Sequence, residues 1–135
     1  MKIVSTQIAR SVEACWDVFV DAAKLVTWVP GLREARVVSR RADKLPHEIE
    51  FIHANDLSYA LIYDYDLEQR EVSWAPREGQ TGGLRGFASF MPDDDGTEMT
   101  YGIEHDEGRK AAERALDDPN LLIAAFARRM HEDRD

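Results

Sequence analysis

A long alternation of apolar and polar residues between Leu32 and His105 constrains the fold more than any other feature. A period of two is typical of β-strands that have one buried face and one solvated face. Turn-forming residues divide this region into six predicted strands, which are 33–40, 47–54, 58–67, 71–75, 83–91 and 97–105. The turns between them are predicted at 44–46, 55–56, 68–70, 78–80 and 93–96. Because these connections are short, consecutive strands are expected to pair antiparallel as a meander.

Three short elements are predicted before the meander. Residues 1–10 alternate and predict a first strand. Ser11 is suited to cap a helix, because its hydroxyl can accept from the amides of the first turn, and apolar residues follow it with helical spacing. Asp21 is predicted to cap a second short helix that continues to Trp28, and Pro30-Gly31 is predicted to end it.

The end of the sequence predicts a longer helix. Helical composition returns at Arg109 and continues to His131, with a break at 117–119. Asp118 as N-cap and Pro119 at the first helical position form a favoured start. The whole pattern predicts an α+β domain with a strand, two short helices, six further strands and a long C-terminal helix.

Composition limits the partners of this chain. The 135 residues, of which 44% are hydrophobic, suffice for one core, and we expect a single domain over 1–135. A net charge of −9 repels phosphate backbones and anionic headgroups, so no nucleic acid is expected as a partner. No apolar run of about 18 residues occurs, so no stable membrane insertion is expected. The start of the sequence alternates too early for a signal peptide, and we expect a cytoplasmic monomer or homodimer.

Several aromatic and polar side chains share the apolar faces of the strands. Tyr59, Leu61 and Tyr63 lie on one face, and His53 follows the same alternation as Phe51. Rings on an inner strand face are more often core than ligand contacts. Buried hydroxyls and imidazoles nevertheless need hydrogen-bond partners, which a ligand or water in a cavity would supply. From the residues alone both interpretations stay open, and a packed core is favoured.

Four segments along the chain carry a family resemblance. They are 11–21, 25–31, 63–74 and 86–101, and the second of them has the pattern L..W.PG in Leu25, Trp28 and Pro30-Gly31. Together, and in this order, they resemble the START-like superfamily, which includes Bet v 1-type allergens, polyketide cyclases and the coenzyme Q-binding family. The resemblance implies a helix-grip fold, in which a curved antiparallel sheet wraps a long C-terminal helix.

The same resemblance implies a hydrophobic tunnel between the sheet and the C-terminal helix. Such a tunnel would bind a small hydrophobic or aromatic ligand of lipid, quinone or polyketide type, and no cofactor or metal is expected. The predicted ligand-binding residues are those that the resemblance places inward: Trp28, His53, Tyr59, Leu61, Tyr63, Trp74, Phe90, Tyr101, His105, Phe126 and Met130.

The sequence predicts no catalytic set that we can assign. Cyclases of the superfamily are thought to use a cavity arginine with tyrosine or serine hydroxyls. The strand 58–67 contains no arginine or lysine, and Arg85 alternates onto the face opposite Leu84. Spacings such as HExxH are absent, and Cys15 lies on the apolar stripe of the first helix, where a thiol is usually inert.

Two other functions stay open at this point. A polyketide aromatase/cyclase or dehydratase-like enzyme would need an ionisable side chain inside the tunnel, such as an inward Arg85. A protein-interaction module would use the outer face of the sheet. Glu50, Asp64 and Asp66 are predicted to make that face acidic and therefore suited to a basic partner.

Overall fold

The computed structural model describes residues 1–54, 57–77, 79, 84–105 and 118–132. The strands are β1 (Lys2–Ile8), β2 (Leu32–Arg40), β3 (Pro46–His53), β4 (Ser58–Asp66), β5 (Glu71–Pro76), β6 (Leu84–Asp93) and β7 (Gly96–His105). The helices are α1 (Val12–Phe19), α2 (Ala22–Leu25) and α3 (Pro119–Glu132). Within these described residues, seven antiparallel strands form one sheet in the order β1-β7-β6-β5-β4-β3-β2.

The predicted meander is confirmed, and each strand ends within two residues of its predicted bounds. Three of the predicted turns contain a residue with positive φ, as tight turns often do. Lys44, Arg70 and Asp94 have φ values of 76°, 51° and 47°, the left-handed conformation that lets the chain reverse tightly. The predicted turn at 55–56, and residues 78 and 80–83, lie outside the described part of the chain.

The two edges of the sheet are β1 and β2, although these strands follow each other in the sequence. β1 pairs with β7, with Val4 opposite Tyr101. The β1–β2 connection must therefore cross the sheet from one edge to the other, and it contains α1 and α2. This crossing places the buried residues of α1, which include Trp16 and Phe19, against the concave face.

Both short helices begin at the predicted caps. The Ser11 hydroxyl accepts from the amide of Ala14 at 3.1 Å, and the Asp21 carboxylate accepts from the amide of Ala23 at 3.0 Å. The prediction that the second helix reaches Trp28 is wrong, because α2 ends at Leu25. Residues 26 and 27 are β-branched and residue 30 is proline, and both features oppose further helical turns.

The C-terminal helix is capped at its start and anchored near its end. Asp118 caps α3 by accepting from the amide of Asn120 at 2.9 Å. Near the other end, the Arg10 guanidinium donates to the carbonyl of Met130 at 2.9 Å. The amide of Ala9 donates to Nε2 of His131 at 3.0 Å. None of the described helices is long and apolar enough to cross a membrane.

One close approach inside the sheet depends on a glycine. The ring of Trp74 on β5 lies directly over Gly86, its cross-strand partner on β6. A Cβ at position 86 would meet the carbonyl oxygen of Gly102 and would lie 2.8 Å from Cζ2 of Trp74. Only glycine leaves room for the ring at this point, so the sequence of β6 sets the position of Trp74.

We expect Gly86→Ala to lower the free energy of unfolding by about 2 kcal/mol, because the added methyl must displace a ring or a strand. Urea denaturation measures this change. Ser73→Ala on the exposed face of β5 is the control, and it should change stability by less than about 0.5 kcal/mol. Equal stability of the two variants would show that Trp74 can move at no cost.

Candidate functional site

An apolar cavity of about 50 Å³ lies between the concave face of the sheet, α1, the α2–β2 connection and α3. Its wall contains rings from α1, from the α2–β2 connection and from four of the strands, and it contains no lysine, arginine, aspartate or glutamate among the described residues. The fourteen lining residues are Phe19, Leu25, Trp28, Val29, Phe51, His53, Tyr59, Leu61, Tyr63, Trp74, Leu84, Tyr101, Ile103 and Leu122.

Seven of the eleven predicted ligand-binding residues line this cavity. They are Trp28, His53, Tyr59, Leu61, Tyr63, Trp74 and Tyr101. Phe90, Phe126 and Met130 are fully buried and belong to the surrounding core, where the rings of Phe90 and Phe126 lie 6.1 Å apart. The side chain of His105 lies outside the described part of the chain. Ligand contact by any of these residues stays a prediction.

The other seven lining residues were not predicted. Phe51, Leu84 and Ile103 are on the same strand faces as predicted residues. The alternation that placed His53 on the inner face could therefore have identified them as well. Phe19 and Leu122 belong to the apolar stripes of α1 and α3, where periodicity indicates burial but not which residue borders a cavity.

The ring of Phe19 packs between sheet and helix and leaves only a small cavity beside it. Its centroid lies 5.5 Å from Trp28, 6.0 Å from Trp74 and 5.5 Å from Phe126. Pockets for drug-sized ligands have volumes of roughly 300 Å³ or more, so the observed volume is several times smaller. The hydrophobic tunnel that the resemblance implies is therefore reduced to a small cavity between aromatic side chains in this structure.

Polar atoms in the wall are of two kinds. Nε2 of His53 and the hydroxyl of Tyr59 hydrogen-bond at 3.0 Å, and their rings stack with centroids 5.4 Å apart. In contrast, Nε1 of Trp28 is buried and has no hydrogen-bond partner among the described residues. The side chain of Tyr63 is 8% exposed, and no hydrogen bond within the same part of the chain reaches its hydroxyl.

The wall disfavours negative charge. Burial raises the pKa of the Tyr63 hydroxyl well above its ordinary value of 10, and the neighbouring tyrosines raise it further. Burial also raises the pKa of Tyr65, although the guanidinium of Arg41 opposes the shift. Away from the cavity, burial raises the pKa of the Cys15 thiol, which keeps this cysteine protonated and unreactive.

The described residues contain neither a metal-ligand cluster nor the cavity arginine of a cyclase-like site. No cluster of three or more histidine, cysteine, aspartate or glutamate side chains forms there. Arg85 is exposed on β6, while its neighbours Leu84 and Gly86 are buried on the opposite face. The arginine that a cyclase-like site would need is thus on the outer side of the sheet, as the alternation predicted.

Two of the four tyrosines, Tyr63 and Tyr65, should keep their protons in the native protein at about pH 11. Because the unfolded chain releases these protons near pH 10, the stability that they contribute is complete below that pH and is lost above it. The free energy of unfolding should then fall by about 1.4 kcal/mol per pH unit for each group.

Tyrosinate absorbance of the native protein measures this directly. Tyr63→Phe should leave the tyrosinate absorbance of the native protein unchanged at about pH 11. It should also reduce the fall in the free energy of unfolding by about 1.4 kcal/mol per pH unit, the contribution of one tyrosine. A smaller tyrosinate signal in Tyr63→Phe than in the unaltered protein at that pH would contradict the assignment.

No protein-family model and no curated protein matches the sequence. Solved structures, however, match the fold. A START superfamily protein from Mycobacterium smegmatis is 15% identical, with a TM-score of 0.74 over 97% of each chain. A STAR-related lipid transfer protein from Xanthomonas axonopodis is 13% identical, with a TM-score of 0.65 over 96% of this chain and 84% of that one.

A third similar structure is the di-domain ARO/CYC protein StfQ from the steffimycin biosynthetic pathway. It is 16% identical, with a TM-score of 0.69 over 99% of this chain and 46% of that one. The seven-stranded antiparallel sheet and the C-terminal helix agree with these similarities. The chain therefore has the START-like fold, as its four segments predicted.

Proposed function

We propose that the protein binds a small hydrophobic or aromatic molecule in the cavity between the sheet and α3. The observation that carries this proposal is a largely apolar cavity whose wall also holds hydrogen-bonding groups, including Trp28 and Tyr63. Apolar walls contribute about 25 cal/mol for each Å² of ligand surface removed from water. The polar tips would then orient the ligand.

The cavity is smaller than the proposed ligand, so part of its wall must move when the ligand enters. A dry apolar cavity of about 150 Å³ holds benzene, so a molecule of that size needs roughly three times the volume found here. The segment best placed to yield is the wall formed by α2 and Trp28, because α2 is a single turn of four residues. We propose that this wall moves outward when the ligand enters.

The similar structures support ligands of two chemical types. One is named as a STAR-related lipid transfer protein and another as an ARO/CYC protein of a biosynthetic pathway. A lipid, quinone or polyketide-like molecule therefore remains the proposed ligand class, with Trp28, His53, Tyr59, Leu61, Tyr63, Trp74 and Tyr101 as its proposed contacts.

Binding is a better proposal than cyclase chemistry. The described lining residues include no charged side chain that could stabilise an enolate, and Arg85 is exposed on the other face. The interaction-module alternative also loses support, because the outer face is not uniformly acidic. Glu50 forms ion pairs there with Arg36 at 3.3 Å and with Arg77 at 3.8 Å.

The proposal also includes the expected location, oligomeric state and partners of the protein. We propose a cytoplasmic protein that works as a monomer or homodimer and has no nucleic-acid partner. The support for the last point is the net charge of −9. Sedimentation of the purified protein would decide between the two oligomeric states.

Calorimetric titration with toluene tests the binding proposal. We expect saturable binding to the unaltered protein and at least tenfold weaker binding to Leu61→Phe, because a ring at position 61 fills the cavity. Leu121→Phe is the matched control, since Leu121 is 55% exposed on α3, and its affinity should be unchanged.

Native mass spectrometry of freshly purified protein complements the titration by showing any small molecule that co-purifies. Circular dichroism establishes that both variants are folded. Absence of toluene binding, or equal binding by Leu61→Phe and the unaltered protein, would overturn the proposed site.

A further inference from the structure

The indole N–H of Trp28 is buried without a hydrogen-bond acceptor among the described residues. The side chain is 7% exposed, stacks on Phe19 at 5.5 Å and meets the edge of Phe126 at 5.1 Å. Its Nε1–H borders no acceptor in the described part of the chain, although the side chain lines the cavity. An indole N–H is a donor only, so nothing but an acceptor can satisfy it.

Tyr63 provides a second donor in the same wall. Its hydroxyl forms no hydrogen bond with a described residue, whereas the hydroxyl of Tyr65 donates to the carbonyl of Pro46 at 2.6 Å. Tyr59 likewise has a partner in His53. Buried polar groups in native proteins are nearly always hydrogen-bonded, so the buried Nε1 of Trp28 marks the part of the wall that lacks its partner, and the Tyr63 hydroxyl adds a donor to the same wall.

The surroundings of these donors select against a charged ligand. No described lining residue is a lysine or arginine that could neutralise a carboxylate, and none is an acid that could neutralise an ammonium group. Burying an unpaired charge is far more costly than burying a hydrogen-bonded neutral group. The raised pKa of Tyr63 agrees, since it shows that an anionic oxygen is disfavoured at this wall.

We infer that the ligand carries a neutral carbonyl group and presents its oxygen to the indole N–H of Trp28, with the hydroxyl of Tyr63 as a second donor. This inference rests on the proposed function and specifies the chemical class of ligand for the same cavity. Ketones, quinones and esters belong to this class; hydrocarbons of the same size should bind the cavity more weakly, and free carboxylic acids at neutral pH should not bind.

Water is the competing occupant. A cavity of about 50 Å³ exceeds the roughly 10–15 Å³ that one water molecule needs, and a water oxygen also accepts from an indole N–H. A carbonyl ligand would have to replace such water and keep its hydrogen bond, whereas a hydrocarbon would break that bond without replacing it. A matched set of probes can therefore distinguish a carbonyl ligand from a hydrocarbon by their affinities.

The probes are acetophenone, α-methylstyrene and benzoate, which have the same phenyl ring. In the second a methylene group replaces the carbonyl oxygen, and the third carries a charge. The three tryptophans give three indole signals in a proton–nitrogen correlation spectrum, and Trp28→Phe assigns one of them. We expect acetophenone to bind about fivefold more tightly than α-methylstyrene and to shift the Trp28 indole proton downfield. Benzoate should not bind.

Two variants separate the hydrogen bond from the packing. Trp28→Phe should weaken acetophenone binding about fivefold and leave α-methylstyrene binding unchanged. Trp16→Phe is the matched control, because Trp16 is buried outside the cavity, and it should change neither affinity. Tyr63→Phe serves as an independent variant if Trp28→Phe does not fold, and it should also weaken the ketone selectively.

The outcomes distinguish this inference from the proposed function. Equal affinities for acetophenone and α-methylstyrene, with an unshifted Trp28 signal, would overturn the carbonyl assignment while the binding function stands. Tighter binding of benzoate would overturn the requirement for a neutral ligand. If none of the three probes binds, the proposed function itself fails.

Discussion

The structure depends on the packing of aromatic rings around Phe19. Five other rings lie with centroids 5.4 to 6.5 Å from that ring, mostly in edge-to-face contact. They come from the α2–β2 connection, β5, β6, β7 and α3, so one side chain of α1 links the helices to three of the strands. Each aromatic pair contributes roughly 0.5–1.5 kcal/mol beyond its buried area. Phe19 both joins the helices to the sheet and limits the volume left between them.

The elements of this fold were predictable because each has a local cause. Alternation identified the strands, and the caps at Ser11, Asp21 and Asp118 identified where helices begin. The place of β1 at the sheet edge beside β7 has no local cause, since it pairs residues about a hundred positions apart, and it was not predicted. The early end of α2 was missed because the pattern from Leu25 to Trp28 looks helical until the β-branched residues are weighed.

The site was predictable in part for the same reason. A strand face follows from alternation, so His53, Tyr59, Leu61 and Tyr63 were placed correctly on the inner side. Whether an inner residue borders a cavity depends on the side-chain packing of its neighbours. Phe90 and Met130 face inward and are fully buried, but neither lines the cavity between sheet and helix. The volume of the cavity is likewise a property of the Phe19 cluster as a whole and has no signature in sequence.

The charge of the chain is distributed in a way that suits a neutral interior. Acidic and basic side chains pair on the outer face of the sheet, as Arg77 does with Glu48 and Glu50. Across the sheet, the wall of the cavity has polar atoms but no described charge. The strand period alone separates the two environments, because successive residues of β3 alternate between them.

Two hydrogen bonds fix α3 close to its C-terminal end. Arg10 and Ala9 hold it at Met130 and His131, whereas Leu122, which borders the cavity, lies eight residues away along the helix. At a rise of about 1.5 Å per residue, that separation is about 12 Å, and a tilt of about 10° around the anchored end moves Leu122 by about 2 Å. The same displacement would have to move the buried Phe126 as well, so the packing of α3 on Phe19 and Trp28 makes this helix the firm side of the cavity and the α2 wall the side that yields.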